Sequence, residues 1–226
     1  MSAGLILLGT DTGVGKTYIG CALASALRAR GWRVGALKPV ECGYDEAHSD
    51  GRLLAEACGE TFAPDRHVPE RFALPLSPLA AGREEGRAFD VDGALRHAHA
   101  CAAACDLLIV ETAGGIRVPL TEEVSNLELA RSLRWPALLV ARAALGTINH
   151  SVLSLEAATA GGIEILGFVL NGATDVSRAA GGGNRRIIED MSGIPCVGEV
   201  SMHADATEFL DWNRILPAIG RKERAE

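Results

Sequence analysis

The sequence is poor in aromatic residues: five Phe, three Trp and two Tyr make up 4% of 226 residues. That scarcity disfavours an all-β sandwich, whose strands are filled by aromatic and β-branched side chains. It also lacks any run of basic residues, and its formal net charge is −7. Nonspecific attraction to nucleic acid or to an anionic membrane surface is thereby excluded as a working role. Long apolar runs are missing too. Met1 to Gly9 is apolar but short, has no basic flank and leads straight into Asp11, so neither a signal peptide nor a membrane span is expected. None of the six cysteines (21, 42, 58, 101, 105 and 196) forms a Cys-x-x-Cys pair, and reduced thiols in a cytoplasm are expected. Cys101 and Cys105 stand one helical turn apart, as a metal clip would, but their Ala-rich surroundings favour small residues filling a helix interface.

What the chain does have is Gly, Ala, Leu and Val, with 48% hydrophobic residues, enough to bury a core without disulfides or structural metal. Apolar runs of strand length alternate with helical stretches. Strands are expected at Leu5–Leu8, Arg33–Leu37, Leu107–Val110, Ala137–Ala141 and Ile163–Leu170, and a helix from about Lys16 to Arg30. The runs are continuous rather than alternating, as in strands covered on both faces. One α/β domain follows, a mostly parallel sheet flanked by helices with right-handed crossovers. Between about Asp45 and Ala88 the pattern is punctuated by Pro64, Pro69, Pro75 and Pro78, which predicts an insertion of one short helix and much loop. Ala179–Gly183 is expected as a flexible loop and 221–226 as a frayed tail.

The strongest motif is Gly9-Thr-Asp-Thr-Gly-Val-Gly-Lys-Thr17, between a strand and a helix. Glycines let backbone N–H groups curl around phosphate oxygens, and the helix N-terminus adds partial positive charge. Lys16 supplies a full charge to the β/γ oxygens and Thr17 a hydroxyl for Mg²⁺. The spacing departs from G-x-x-x-x-G-K-[ST], because Thr10 holds the first-glycine position and Gly9 lies one residue earlier. A dinucleotide fingerprint fails, since Tyr18 stands where Gly or Ala is needed. Two further strand ends carry charge. Glu111 follows Leu107–Val110 and precedes Thr112-Ala-Gly-Gly115, and Lys38 opens Lys38-Pro-Val-Glu-Cys-Gly43. A carboxylate at the carboxyl end of a parallel strand faces the phosphate region and suits Mg²⁺. A second lysine beside Lys16 suits charge spreading over a transferring phosphoryl group.

Taken in order, these strings resemble the dethiobiotin synthetase family over nearly the whole chain. Ser77-Pro78 and Gly146-Thr-Ile-Asn-His150 complete the series, and the last is the most diagnostic. The resemblance implies a P-loop NTPase fold and a Mg-ATP-dependent cyclo-ligase of biotin biosynthesis. It would carboxylate 7,8-diaminononanoate with CO₂ and close the ring through a carbamate and its phosphoric anhydride. It implies Thr17, Asp50 and Glu111 around Mg²⁺, and Lys16 and Lys38 as the catalytic cations. The nucleotide falls to Gly13, Val14, Gly15, Lys16, Thr17, Tyr18, Glu111, Thr112, Ala113, Gly114, Asn171, Gly172, Ser201, Met202 and His203. The substrate falls to Thr12, Lys38, Cys42, Gly114, Gly115, Thr147 and Asn149, the last two through a homodimer partner. Thr147 is a plausible helix cap, and His150 reads as structural. No general base stands out.

Three positions depart from the family pattern: Cys42 for a Ser or Thr, Leu79 for a His and Thr112 for a Gly. A thiol is a weaker hydrogen-bond donor than a hydroxyl. Among rivals, the partition and septum-site ATPases carry a lysine where Asp11 stands. Asn171-Gly-Ala-Thr-Asp175 lacks the Lys and the spacing of a guanine-reading motif. A cobyrinate-type amidase needs a further domain, and a mere binding module needs neither Lys38 nor Glu111. A ligase for a different amine or acid is the remaining alternative.

Overall fold

The computed structural model describes residues 4–174, 183–201 and 205–220. Six strands form one parallel sheet: β1 (Gly4–Gly9), β2 (Val34–Leu37), β5 (Leu107–Glu111), β6 (Ala137–Arg142), β7 (Ile165–Ala173) and β8 (Cys196–Ser201). Their order is β2-β5-β1-β6-β7-β8, so β1 lies between β5 and β6, in parallel register with both.

Strand geometry sends alternate side chains to opposite faces, and the two faces build separate cores. Leu5, Leu7, Ile109, Leu138 and Val140 face one core with α1 (Lys16–Ala29), α2 (Asp50–Ala57) and the last helix α9 (Trp212–Ile219). Ile6, Leu8, Val110, Leu139 and Ala141 face the other with α5 (Val91–Ala103), α6 (Asn126–Leu133), α7 (Thr147–Ala160) and α8 (Gly183–Ser192). Each fully buried Leu or Ile contributes roughly 1.5–3 kcal/mol relative to exposure. This is why unbroken apolar runs, rather than alternating ones, mark these strands. The expected strands all form, each shifted by at most a few residues.

The segment from Asp45 to Ala88 is more ordered than a single short helix. It holds α2, α3 (Pro64–His67), β4 (Glu70–Phe72) and α4 (Pro78–Glu85). β4 pairs in parallel with β3 (Val40–Cys42) as a separate two-stranded sheet. Two of the four prolines that looked like loop punctuation are helix starts: Pro64 and Pro78 sit in the first turns of α3 and α4, where the missing N–H has no intrahelical partner to lose. Phe72, Val40, Ala81, Phe89 and Leu120 give this region its own small core. Of the tract 179–183, only Gly183 is described, as the first residue of α8; 179–182 and the tail 221–226 lie outside the described residues.

The consequence for function is positional. Lys38 follows β2, Glu111 ends β5 and the loop after β1 leads to Lys16, all at the carboxyl ends of the strands, the usual side for ligands in open α/β sheets.

Candidate active site

After β1 the chain turns through 10–15 and enters α1 at Lys16. Gly15 caps α1 with φ +93°, and a Cβ there would lie 2.0 Å from Asn171 Nδ2. Both the backbone and the space therefore demand glycine. Asn171 Nδ2 donates to the Val14 carbonyl at 3.0 Å, tying the loop to β7. Gly9 has a different reason. A Cβ there would lie 2.8 Å from Lys16 Nζ, so the glycine one residue early makes room for the returning lysine side chain. Lys16 is buried, and its Nζ donates to the carbonyls of Asp11 (3.1 Å) and Gly114 (2.9 Å). Burial pushes its pKa down to about 8, against the pull of Glu111 and with a push from Lys38.

Lys38 leaves the end of β2 and is equally buried, but its partners are acids. Nζ donates to Asp50 Oδ2 at 2.5 Å and to Glu111 Oε1 at 2.9 Å. Thr17 Oγ1 donates to the same Glu111 oxygen at 3.0 Å. Burial alone would lower the pKa of Lys38, but Glu111 and Asp50 together hold it above the ordinary lysine value. Burial would raise Asp50, yet the charge and hydrogen bond of Lys38, with Thr17 and Lys16, hold it below the ordinary carboxyl range. Glu111 Oε2 is buried without a hydrogen-bond partner. Two carboxylates and a hydroxyl, with one buried oxygen unsatisfied, form an oxygen-only donor set that fits a hard divalent cation. No cluster of three His, Cys, Asp or Glu exists among the described residues. Cys105 is buried and Cys101 packs against the same core, as small interface residues do.

Three cavities meet here. One of about 720 Å³ runs along the P-loop past Gly13, Gly15, Lys16, Thr17, Tyr18 and Glu111. A second of about 400 Å³ is lined by Cys42, Pro75, Ser77, Ala113 and Val118. Both share Thr12, Lys38, Asp50 and Gly114, which form the wall between them. A third, of about 390 Å³, lies on the far side of the P-loop among Gly13, Val14, Tyr18, Asn171 and Gly172.

Several expected residues sit elsewhere. The Thr112 hydroxyl and backbone N–H both donate to the Leu7 carbonyl, at 3.0 and 3.1 Å, and the residue is buried in the sheet. Thr147 does not cap α7. Gly146 occupies the cap with no side-chain bond, and the buried Thr147 hydroxyl pairs with Ser151 at 3.3 Å. Asn149 is exposed on α7, and Gly115 lines a separate groove with Asp11, Arg117 and His150. Leu79 lines a cavity with Arg83 and Phe89, away from Cys42. Ser201 ends β8; Met202 and His203 lie outside the described residues.

Two residues escaped the sequence reading. Arg142, paired with Asn171 in strand register, lines the third cavity and holds Asp11 at 3.0 Å. Its only signal was a charged residue ending an apolar strand. Asn126, almost wholly buried at the start of α6, donates to the carbonyls of Ala113 (2.6 Å) and Gly115 (2.8 Å). The carbonyl between them, of Gly114, is left for Lys16. Nothing in the sequence announces that clamp, because it joins residues whose loop path is unknown beforehand.

Residues 3–208 match the family described as "AAA domain". The chain is 46% identical to an ATP-dependent dethiobiotin synthetase of Aquifex aeolicus, over 84% of this chain and 85% of that one. It is 39% identical to another of Anaeromyxobacter dehalogenans, over 98% and 94%. Among solved structures, the cell division ATPase MinD of Pyrococcus furiosus superposes with TM-score 0.59 at 18% identity, covering 96% of this chain and 92% of that one. That likeness concerns the fold alone.

Proposed function

The chain belongs to the dethiobiotin synthetase family, and from that premise we propose that it is an ATP-dependent cyclo-ligase that converts 7,8-diaminononanoate and CO₂ to dethiobiotin. The single observation that carries the reading is the shared wall: Lys38, Asp50, Thr12 and Gly114 line both the P-loop cavity and its neighbour. A γ-phosphoryl group on one side and a carbamate on the other would meet at Lys38.

The residues divide the work accordingly. Lys16 and the loop amides hold the phosphates, with the α1 N-terminus adding to the attraction. The nucleoside lies towards Tyr18, Asn171 and Gly172, and the diamine lies among Cys42, Ser77 and Ala113. Thr17, Asp50 and Glu111 would hold Mg²⁺, which when bound supplies charge neutralisation to the phosphates. A substrate amine takes up CO₂ as a carbamate. A carbamate oxygen then attacks the γ-phosphorus and ADP leaves. The second amine attacks the carbonyl carbon, phosphate leaves and the ring closes. Lys38, cationic between two carboxylates, orients the carbamate oxygen and offsets the charge that develops on the transferring group. The Cys42 thiol, pushed up to about 11 by burial, stays protonated and removes no proton. The amine proton passes to substrate oxygens or water.

The reading extends to a homodimer. Leu145 just before α7 and Leu153 within it are exposed on either side of the exposed Asn149, and this face would bring Asn149 of one copy to the diamine of the other. Sedimentation would show a dimer; a monomer in active solutions removes that part. A reduced cytoplasmic setting accords with six free cysteines and with the lack, among described residues, of a helix long and apolar enough to cross a membrane.

The test is mass spectrometry of the protein mixed with ATP, Mg²⁺, bicarbonate and 7,8-diaminononanoate. Dethiobiotin with one ADP per product is expected. Nucleotide binding without that product would redirect the substrate assignment to another amine or acid.

A further inference from the structure

We propose that Glu41 is a positioning residue that sets Asp50 in place against Lys38 and the divalent cation. Glu41 lies on β3 and is almost fully buried. Its carboxylate accepts three hydrogen bonds, all from the first residues of α2: Ser49 Oγ at 2.9 Å, Asp50 N at 3.1 Å and Gly51 N at 3.4 Å. A buried carboxylate is expensive unless its oxygens are satisfied. Two of the donors that satisfy it are orphan backbone N–H groups of the α2 N-terminus and the third is the hydroxyl of its cap, so one interaction answers both deficits.

The placement has a functional consequence. Asp50 is the first residue of α2, and its side chain reaches Lys38 at 2.5 Å. The backbone nitrogen of Asp50 is thus held from behind by Glu41 while its carboxylate is held in front by Lys38. Asp50 comes from a short helix outside the main sheet, whereas Glu111 is part of β5 and needs no such support. Without Glu41, α2 would remain packed through Leu54 and Ala55, but its first turn would lose the anchor that fixes the direction of Asp50. Ser49 also caps the helix by accepting from Arg52 N, so the cap and the anchor share one side chain. Glu41 lines the diamine cavity, but both its oxygens accept hydrogen bonds from the start of α2, which separates its role from direct substrate contact.

The inference rests on the reading of Asp50 as a ligand of the divalent cation, and the experiment separates the two. Mn²⁺ binding to the ADP complex, followed by electron paramagnetic resonance, is compared in the wild type, Glu41→Gln and Asp50→Asn, with melting temperatures. Loss of a positioning partner typically weakens metal affinity by about 10-fold or more. Glu41→Gln is therefore expected to raise the Mn²⁺ Kd by about that factor, with metal-free ADP affinity unchanged. Asp50→Asn is expected to weaken Mn²⁺ at least as much. If Asp50→Asn weakens Mn²⁺ and Glu41→Gln does not, Glu41 is only a helix cap and the proposal fails. If Asp50→Asn has no effect, the ligand reading beneath it fails as well. Should Glu41→Gln not fold, Glu41→Asp keeps the charge but shortens the reach to Asp50 N and leaves the Ser49 cap intact; a rise in Mn²⁺ Kd supports the anchor, and an unchanged Kd overturns it.

Discussion

The two buried lysines of the site are chemically identical and electrostatically opposite. Lys16 sits among carbonyls, and burial pushes its pKa down to about 8. Lys38 sits between two carboxylates, which hold it above the ordinary value. The P-loop half thus keeps a cation poorly compensated and ready for an anion. The Lys38 half keeps its cation compensated, with the charge available to orient rather than to capture. A site that must bind a polyanion and also position a nucleophile needs both arrangements side by side.

The sharpest way to break this contrast is to remove the uncompensated charge. Lys16→Ala is expected to lower turnover by about 10³-fold, in line with loss of a group that stabilises transferring charge. Single-turnover kinetics would measure it, and near-normal rates would sink the P-loop assignment.

Lys38→Met attacks the other half and carries a second signature. Turnover should drop by about 10²-fold. In addition, Asp50 and Glu111 are left facing each other, and breaking a buried pair costs about 3–5 kcal/mol. A lowered Tm that Mg²⁺ partly restores is the expected result. An unchanged Tm would mean that the two carboxylates do not depend on Lys38 for compensation.

A pH titration sharpens the comparison without mutation. Below pH 8 Lys16 is protonated in the free protein, and a bound phosphate raises its pKa further. Metal-free ADP affinity should therefore be level between about pH 7 and 8, where the terminal phosphate is already ionised, and weaken above it, by up to about tenfold per unit. The same depressed pKa means that the burial penalty of Lys16 is relieved as pH rises from about 8 towards the ordinary 10.5. Calorimetry at several pH values in the wild type and in Lys16→Arg would test it, since the arginine should flatten the slope. An equal slope in both proteins would assign the titration to another group.

The smallest effect is expected at the far end of the diamine cavity. Cys42→Ser replaces a neutral thiol by a stronger donor and should lower the KM for the diamine by about 3-fold, with nucleotide affinity unchanged. A marked rise in KM would show that the cavity is shaped around the thiol.

Part of this site was legible from the sequence. Apolar strand runs and the glycine-rich string are local signals, so β1, the loop and α1 could be read together, and Glu111 could be placed at a strand end. The family motifs then brought Lys38, Asp50 and Asn171 into one list. Thr147 does not cap α7 as expected, and the Thr112 side chain could not be placed beforehand, because a hydroxyl beside a motif says nothing about which way its side chain turns. Both turn into the protein, towards Ser151 and Leu7. Pro64 and Pro78 open helices where loop was expected for a related reason: a proline that ends one element looks the same as one that begins the next.

By itself, then, the sequence determined the parallel α/β architecture, the phosphate loop and the chemical types gathered at the strand ends. Periodicity and loop chemistry act over a few residues and are written in order along the chain. Only the tertiary structure decided that Lys38 lies between Asp50 and Glu111, that Asn126 clamps the loop at 113–115, and that Glu41 anchors α2. Those partners are separated in sequence, and whether a buried charge finds its counter-charge depends on side-chain paths fixed only when the strands and helices are packed.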